Sequence, residues 1–182
     1  MNIPNILTLL RILLVPLAIW LIISDAFGAA FFVLVAAGIT DGLDGYLAKR
    51  FGWTTELGAY LDPLADKVLL VSTYIALGVR LMLPSWLVIL VVSRDVMIVA
   101  AILLSVVLGE TLEMRPIAIS KVNTVAQIGL ALLVLADAGF GLEWRAARMA
   151  GIYVTGAITA VSAMAYLVRW LRQRSNGPMT GT

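Results

Sequence analysis

Residues 41–66 read DGLDGYLAKRFGWTTELGAYLDPLAD, and this stretch decides how the rest of the chain is folded. It places four carboxylates, Asp41, Asp44, Asp62 and Asp66, at the facing ends of two strongly apolar runs, in a chain with no histidine and no cysteine. A charged Asp costs about 2.5–3.5 kcal/mol near the centre of a membrane helix and less toward its ends, so four together cost on the order of ten kcal/mol before their mutual repulsion is counted. One or two bound divalent cations offset that cost. The competing reading is ion pairing of the aspartates with Arg or Lys inside a helical bundle.

The composition sets the surroundings of this cluster. Of 182 residues, 62% are hydrophobic and 13% charged, with a mean hydropathy of +1.01, far from the balance of a soluble domain. The chain is expected to be an all-α integral membrane protein. A formal charge of +2 is too small to point to nucleic acid. Without cysteine there is no disulfide or thiolate site, and without histidine no Ser-His triad or imidazole ligand. Acid–base and metal chemistry must therefore rest on carboxylates.

Working outward from the aspartates, apolar runs long enough to cross a bilayer recur at roughly residues 4–24, 27–49, 56–79, 84–108, 117–137 and 147–171. Only helices satisfy their backbone groups in such runs, and no alternation suggests a membrane barrel. The expectation is a six-transmembrane-helix bundle over residues 1–174, followed by a disordered tail at 175–182. With the amino terminus in the cytosol, Lys49, Arg50, Arg115, Lys121, Arg169, Arg172 and Arg174 lie inside, and Arg80, Arg145 and Arg148 outside. That bias places both termini in the cytosol. Trp20, Trp53, Trp86, Trp144 and Trp170 fall near helix ends, where amphipathic rings belong.

The four aspartates sit where the second helix ends and the third begins. Asp41 and Asp44 are three residues apart and Asp62 and Asp66 four, so each pair shares a helix face. Two such faces make an all-oxygen cage suited to Mg²⁺ or Mn²⁺ and not to zinc or copper. Gly42, Gly45, Ala48, Gly58 and Ala59 beside them allow close approach of a backbone or a flat ligand.

The ordered pattern Asp41-x2-Asp44-Gly45-x2-Ala48, then Gly58-x3-Asp62-x3-Asp66, resembles the signature of the CDP-alcohol phosphatidyltransferases. The likeness begins at Asn2-Ile3-Pro4-Asn5, passes through Thr8 and Arg11 and continues to about residue 128. Ser93-Arg94-Asp95-Val96 and Ile119-Ser120-Lys121-Val122-Asn123-Thr124 look most like the CMP-forming cardiolipin synthases of mitochondria and some bacteria; phosphatidylglycerophosphate synthases come next. Lys49 stands where the family usually carries Arg, with Arg50 following, and either is a candidate for the donor pyrophosphate.

The resemblance implies an enzyme moving a phosphatidyl group from CDP-diacylglycerol to an alcohol with release of CMP, the acceptor being phosphatidylglycerol or, alternatively, glycerol 3-phosphate. It further implies two divalent cations, Mg²⁺ or Mn²⁺, held by Asp41, Asp44, Asp62 and Asp66, with Asp66 as general base. Donor contacts are expected from Asn5, Thr8, Gly45, Ala48, Lys49, Arg50 and Gly58. Acceptor contacts are expected from Arg94, Lys121 and Arg115. Members of the family are often dimers, so a homodimer is expected, in a bacterial cell membrane or mitochondrial inner membrane with the site on the cytosolic or matrix side.

Several residues carry two readings. Arg11 shares a face with Asn5 and Thr8 and either touches the nucleotide or snorkels to the interface. Arg94 falls near mid-span, where a lone cation is costly; Asp95 beside it points to another face and is not an obvious partner. Asn123 and Thr124 read as helix-packing polar residues. An ion-coupled transporter would also carry intramembrane acids, but spread through the bilayer depth; an intramembrane aspartyl hydrolase would need one close pair sharing a proton.

Overall fold

The computed structural model describes the backbone of residues 3–51, 56–107 and 118–175, and the side chains of residues 11–40, 65–100 and 119–168. Among the described residues there are six helices and no strand. They are α1 (Ile3–Ile23), α2 (Phe27–Phe51), α3 (Glu56–Val79), α4 (Ser85–Val107), α5 (Ala118–Phe140) and α6 (Arg145–Ser175). The apolar runs predict their positions closely. At 1.5 Å per residue even the shortest, 21 residues in α1, is about 32 Å long, close to the ~30 Å of a bilayer's hydrocarbon. By length and composition, Ile119–Phe140 and Arg145–Val168 are the two helices among the described residues apolar enough to cross a membrane.

Three of the connections share one geometry. After α1, the Ala26 amide donates to the Leu21 carbonyl and the Asp25 amide to that of Ile22, with Asp25 left-handed at φ 60°. After α3 the same pair of bonds runs from Met82 to Leu77 and from Leu81 to Gly78, with Leu81 at φ 56°. After α5, Leu142 donates to Asp137 across Gly141 at φ 63°. Each is a left-handed cap that satisfies carbonyls orphaned at a helix end.

α3 lies centrally, packed on α1, α4 and α5, while α2 packs on α1 and α5, and α6 on α4 and α5. The apolar core includes Ile22, Leu77, Leu87, Val91, Val134 and Leu135. At the start of α2, Phe31, Phe32 and Phe140 meet edge to face. Close by, a Cβ placed on Gly139 would lie 2.4 Å from the Gly28 amide nitrogen, so α2 and α5 touch through bare backbone, as small residues allow.

The distribution of polarity is inverted relative to a water-soluble domain. Arg11, Arg94, Asp95, Asn123, Gln127, Thr159 and Ser162 are buried, whereas Leu13, Trp20, Ile89, Val125 and Met164 are more than 60% exposed. An apolar exterior of this extent would associate or aggregate in water and suits a hydrocarbon solvent.

Candidate active site

Construction of the site starts from Asp66 on α3. Its Oδ1 lies 2.9 Å from Nη1 of Arg11 on α1, the arginine 2% and the aspartate 38% exposed. Of the two sequence readings of Arg11, the interface-snorkelling one does not hold: the guanidinium turns inward to the carboxylate. A buried cation requires a nearby anion, and Asp66 supplies it.

A cavity of about 90 Å³ opens beside this pair. α1 contributes Arg11 and α5 contributes Thr124; α3 lines it with Asp66, Lys67 and Leu70; α2 with Leu34, Ala37 and Gly38. Stepping along α2 by three, four and seven residues from Gly38, Ala37 and Leu34 reaches position 41. One turn before Asp66 on α3 is position 62. Helical register thus carries the stripes that line the cavity on to two of the predicted acidic positions.

Asp41, Asp44 and Asp62 themselves lie outside the residues whose side chains are described, as do Asn5, Thr8, Gly45, Ala48, Lys49, Arg50 and Gly58; Arg115 and residues 176–182 lie outside the described residues altogether. Of the predicted site residues, Asp66, Arg94 and Lys121 have described side chains. Lys121 is exposed in the first turns of α5, three residues before cavity-lining Thr124.

Arg94 stands in a buried network that holds both its terminal nitrogens, while its Nε and Asp95 Oδ2 find no hydrogen-bond partner among the described residues. Its Nη1 donates to Asp95 Oδ1 at 2.5 Å, and its Nη2 donates to Ser120 Oγ at 2.6 Å and Ser162 Oγ at 2.9 Å. The guanidinium carbon sits 5.7 Å from the centre of the Tyr166 ring. The expectation that Asp95 is not its partner is therefore wrong. Neighbouring positions leave a helix about 100° apart, but a long arginine can fold back along the helix flank. With both side chains at 1% exposure or less, no water competes for either charge.

Asp95 takes a second cation on the same oxygen, Lys67 Nζ of α3 at 2.8 Å. Lys67 was not singled out from sequence, and the signal was there: an ammonium inside an apolar helix is functional by default. Below this cluster, Thr159 donates to Asn123 Oδ1 at 2.7 Å and Tyr74 to the Gln127 carbonyl at 3.0 Å. This matches Asn123 read as a packing residue. Thr124 donates to the Ser120 carbonyl at 3.1 Å within α5 while facing the cavity.

Comparison with known proteins places this arrangement. A sequence model described as CDP-alcohol phosphatidyltransferase matches residues 1–170. The chain is 38% identical to the CMP-forming cardiolipin synthase of Rattus norvegicus over 74% of its own length and 50% of that protein's. It is 34% identical to a cardiolipin synthase (CMP-forming) / mitochondrial hydrolase fusion protein of Schizosaccharomyces pombe, over 92% of this chain and 31% of the other. The CDP-diacylglycerol–glycerol-3-phosphate 3-phosphatidyltransferase of Pseudomonas fluorescens is 33% identical over 97% of this chain and 94% of its own. The chain thus spans half or less of the two cardiolipin synthases and nearly all of the third relative.

Proposed function

The chain belongs to the CDP-alcohol phosphatidyltransferase family, and from that premise we propose that it transfers a phosphatidyl group from CDP-diacylglycerol to phosphatidylglycerol, giving cardiolipin and CMP. The observation that carries this reading is the placement of Asp66, anchored by Arg11, on a cavity whose other walls are mostly apolar. A carboxylate and a lipid-compatible cleft share one void. The Pseudomonas relative, matched over nearly its whole length, favours glycerol 3-phosphate as the second reading for the acceptor.

In the mechanism, an acceptor hydroxyl seated against Asp66 gives its proton to that carboxylate as its oxygen bonds to the phosphorus next to diacylglycerol. The phosphorus–oxygen bond to CMP breaks, and CMP leaves with the electron pair. Arg11 fixes the carboxylate, so the base is held in one orientation. Asp41, Asp44, Asp62 and Asp66 would hold two Mg²⁺ or Mn²⁺ ions, which when bound supply charge neutralisation at the donor pyrophosphate. Lys49 or Arg50 meets the same group, with Asn5, Thr8, Gly45, Ala48 and Gly58 shaping the nucleotide seat. The apolar exterior and the basic residues support a six-span membrane protein with both termini cytosolic, in a bacterial cell membrane or mitochondrial inner membrane, and a homodimer is part of the proposal.

The test is product analysis with purified protein in detergent, CDP-diacylglycerol and Mg²⁺ or Mn²⁺. CMP and cardiolipin should form with phosphatidylglycerol. Phosphatidylglycerophosphate formed from glycerol 3-phosphate instead selects the second reading, and no CMP with any alcohol overturns both.

A further inference from the structure

Asp95 is 1% exposed and accepts from Lys67 and Arg94 on the same oxygen. Within this cluster of described residues two cations share one carboxylate, which leaves the triad itself with a surplus of one positive charge, its Arg94 and Asp95 buried and its Lys67 at the edge. Such a surplus is costly without an anion to meet it. Arg94 is closed off by Asp95, Ser120, Ser162 and Tyr166, with its side chain at 0% exposure. Lys67 is the open member: it is 20% exposed and lines the cavity beside Asp66.

We propose that Lys67 receives the phosphodiester of the acceptor lipid, and that Asp95 is the positioning residue that aims its ammonium into the cavity. The inference rests on the transferase reading above and assigns the acceptor seat within it. A phosphodiester carries one negative charge and matches the surplus on the Lys67–Asp95–Arg94 triad. Leu34, Leu69, Leu70 and Ile128 wall the same cavity, which suits an acceptor carrying acyl chains better than a water-soluble dianion. Lys67 and Asp66 are consecutive on α3 and line the same void. A headgroup whose phosphate rests on Lys67 therefore presents its glycerol hydroxyls on the side of the base. Arg94, expected from sequence to meet the acceptor phosphate, acts here through Asp95 as a brace.

The experiment measures dioleoyl-phosphatidylglycerol binding to the detergent-solubilised full chain, together with KM for that lipid and for CDP-diacylglycerol. Lys67→Met should weaken phosphatidylglycerol binding and raise its KM by about tenfold or more, the range expected for a lost charge-assisted hydrogen bond, with the donor KM unchanged. Lys67→Arg, which keeps the charge, should recover part of the affinity lost in Lys67→Met, and an unchanged melting temperature of Lys67→Met in detergent shows that the site still folds. Wild-type affinity in Lys67→Met overturns the proposal. So does recovery in Lys67→Met/Asp95→Asn, since that would make Lys67 only a structural counter-ion, and so does a Lys67-dependent glycerol 3-phosphate site with no phosphatidylglycerol binding. If phosphatidylglycerol binds through Lys67 yet no CMP is released, the acceptor seat stands and the transferase reading fails.

Discussion

Arg11 and Asp66 join α1 to α3 through an ion pair on the wall of a cavity, so substitutions there act on chemistry and stability together. Asp66→Asn keeps the shape and a hydrogen bond to Arg11 but cannot take a proton, and CMP release should fall by about a hundredfold or more. A lower melting temperature in detergent should accompany that loss, because the buried Arg11 guanidinium loses a charged partner; near-normal turnover would remove Asp66 from the reaction. The triad gives an unequal pair. Asp95→Asn leaves the buried Arg94 without its anion and facing the partly exposed Lys67, and should cost about 3–5 kcal/mol, whereas Arg94→Met leaves a neutral Lys67–Asp95 pair and should cost less. Denaturant midpoints of the two variants check the order, and the reverse order refutes the charge count. Asp66 was readable from sequence because spacing alone puts it one turn from Asp62. The Arg94–Asp95 bond was not, because helical phase describes where side chains leave the backbone and not where a three-methylene arm and its guanidinium end. Lys67 escaped because a single charge barely lowers the hydropathy of a long apolar window.

Among the helices, the junction of α2 and α5 is the least tolerant of added atoms. Gly139→Ala would set a methyl 2.4 Å from the Gly28 nitrogen and 2.7 Å from its Cα, so the helices must part. A loss of about 1–3 kcal/mol is expected for such overpacking, read as a lower melting temperature in detergent; an unchanged melt would mean the contact is not made. The helix start at 27 was legible because an apolar run, Phe27 to Ile39, begins just after Ser24 and Asp25, and the start expected at 56 also agrees with the structure. The α5–α6 junction was misjudged by several residues: the run was expected to stop at 137 and resume at 147, but the helices reach Phe140 and begin at Arg145. Asp137 explains the difference. It stays helical, and its carboxylate accepts the Trp144 amide at 2.7 Å and pairs with Arg148 at 3.4 Å, tying the next helix to the end of this one. The Asp137 carboxylate works as a clasp between the two helices.

For the molecule as a whole, the exterior is greasy and the interior holds the charges, which is the reason composition alone pointed to a membrane. Orientation came from basic residues near the helix ends. Because the chain has no cysteine, a single introduced one reports its side unambiguously. In intact cells a membrane-impermeant maleimide should label Ser24→Cys and Glu143→Cys, whereas Ser175→Cys should react only after lysis; the opposite pattern would invert the proposed topology. The proposed carboxylate cage is written in residue types, whereas its closure would depend on how α2 and α3 are set against each other, which spacing within one helix does not specify; helical register reaches positions 41 and 62.

Arg94 and Asp95 are adjacent on one helix, so in the proposed six-span topology α4 carries its own neutralisation into the bilayer during synthesis, before any other helix is needed. α3 emerges earlier with Lys67, whose partner has not yet been made. Biogenesis therefore has a vulnerable interval between the third and fourth helices: a nascent chain stopped at residue 83 should be extracted from membranes by alkali more readily than one stopped at residue 108, and equal retention would show that the unmatched lysine is no burden.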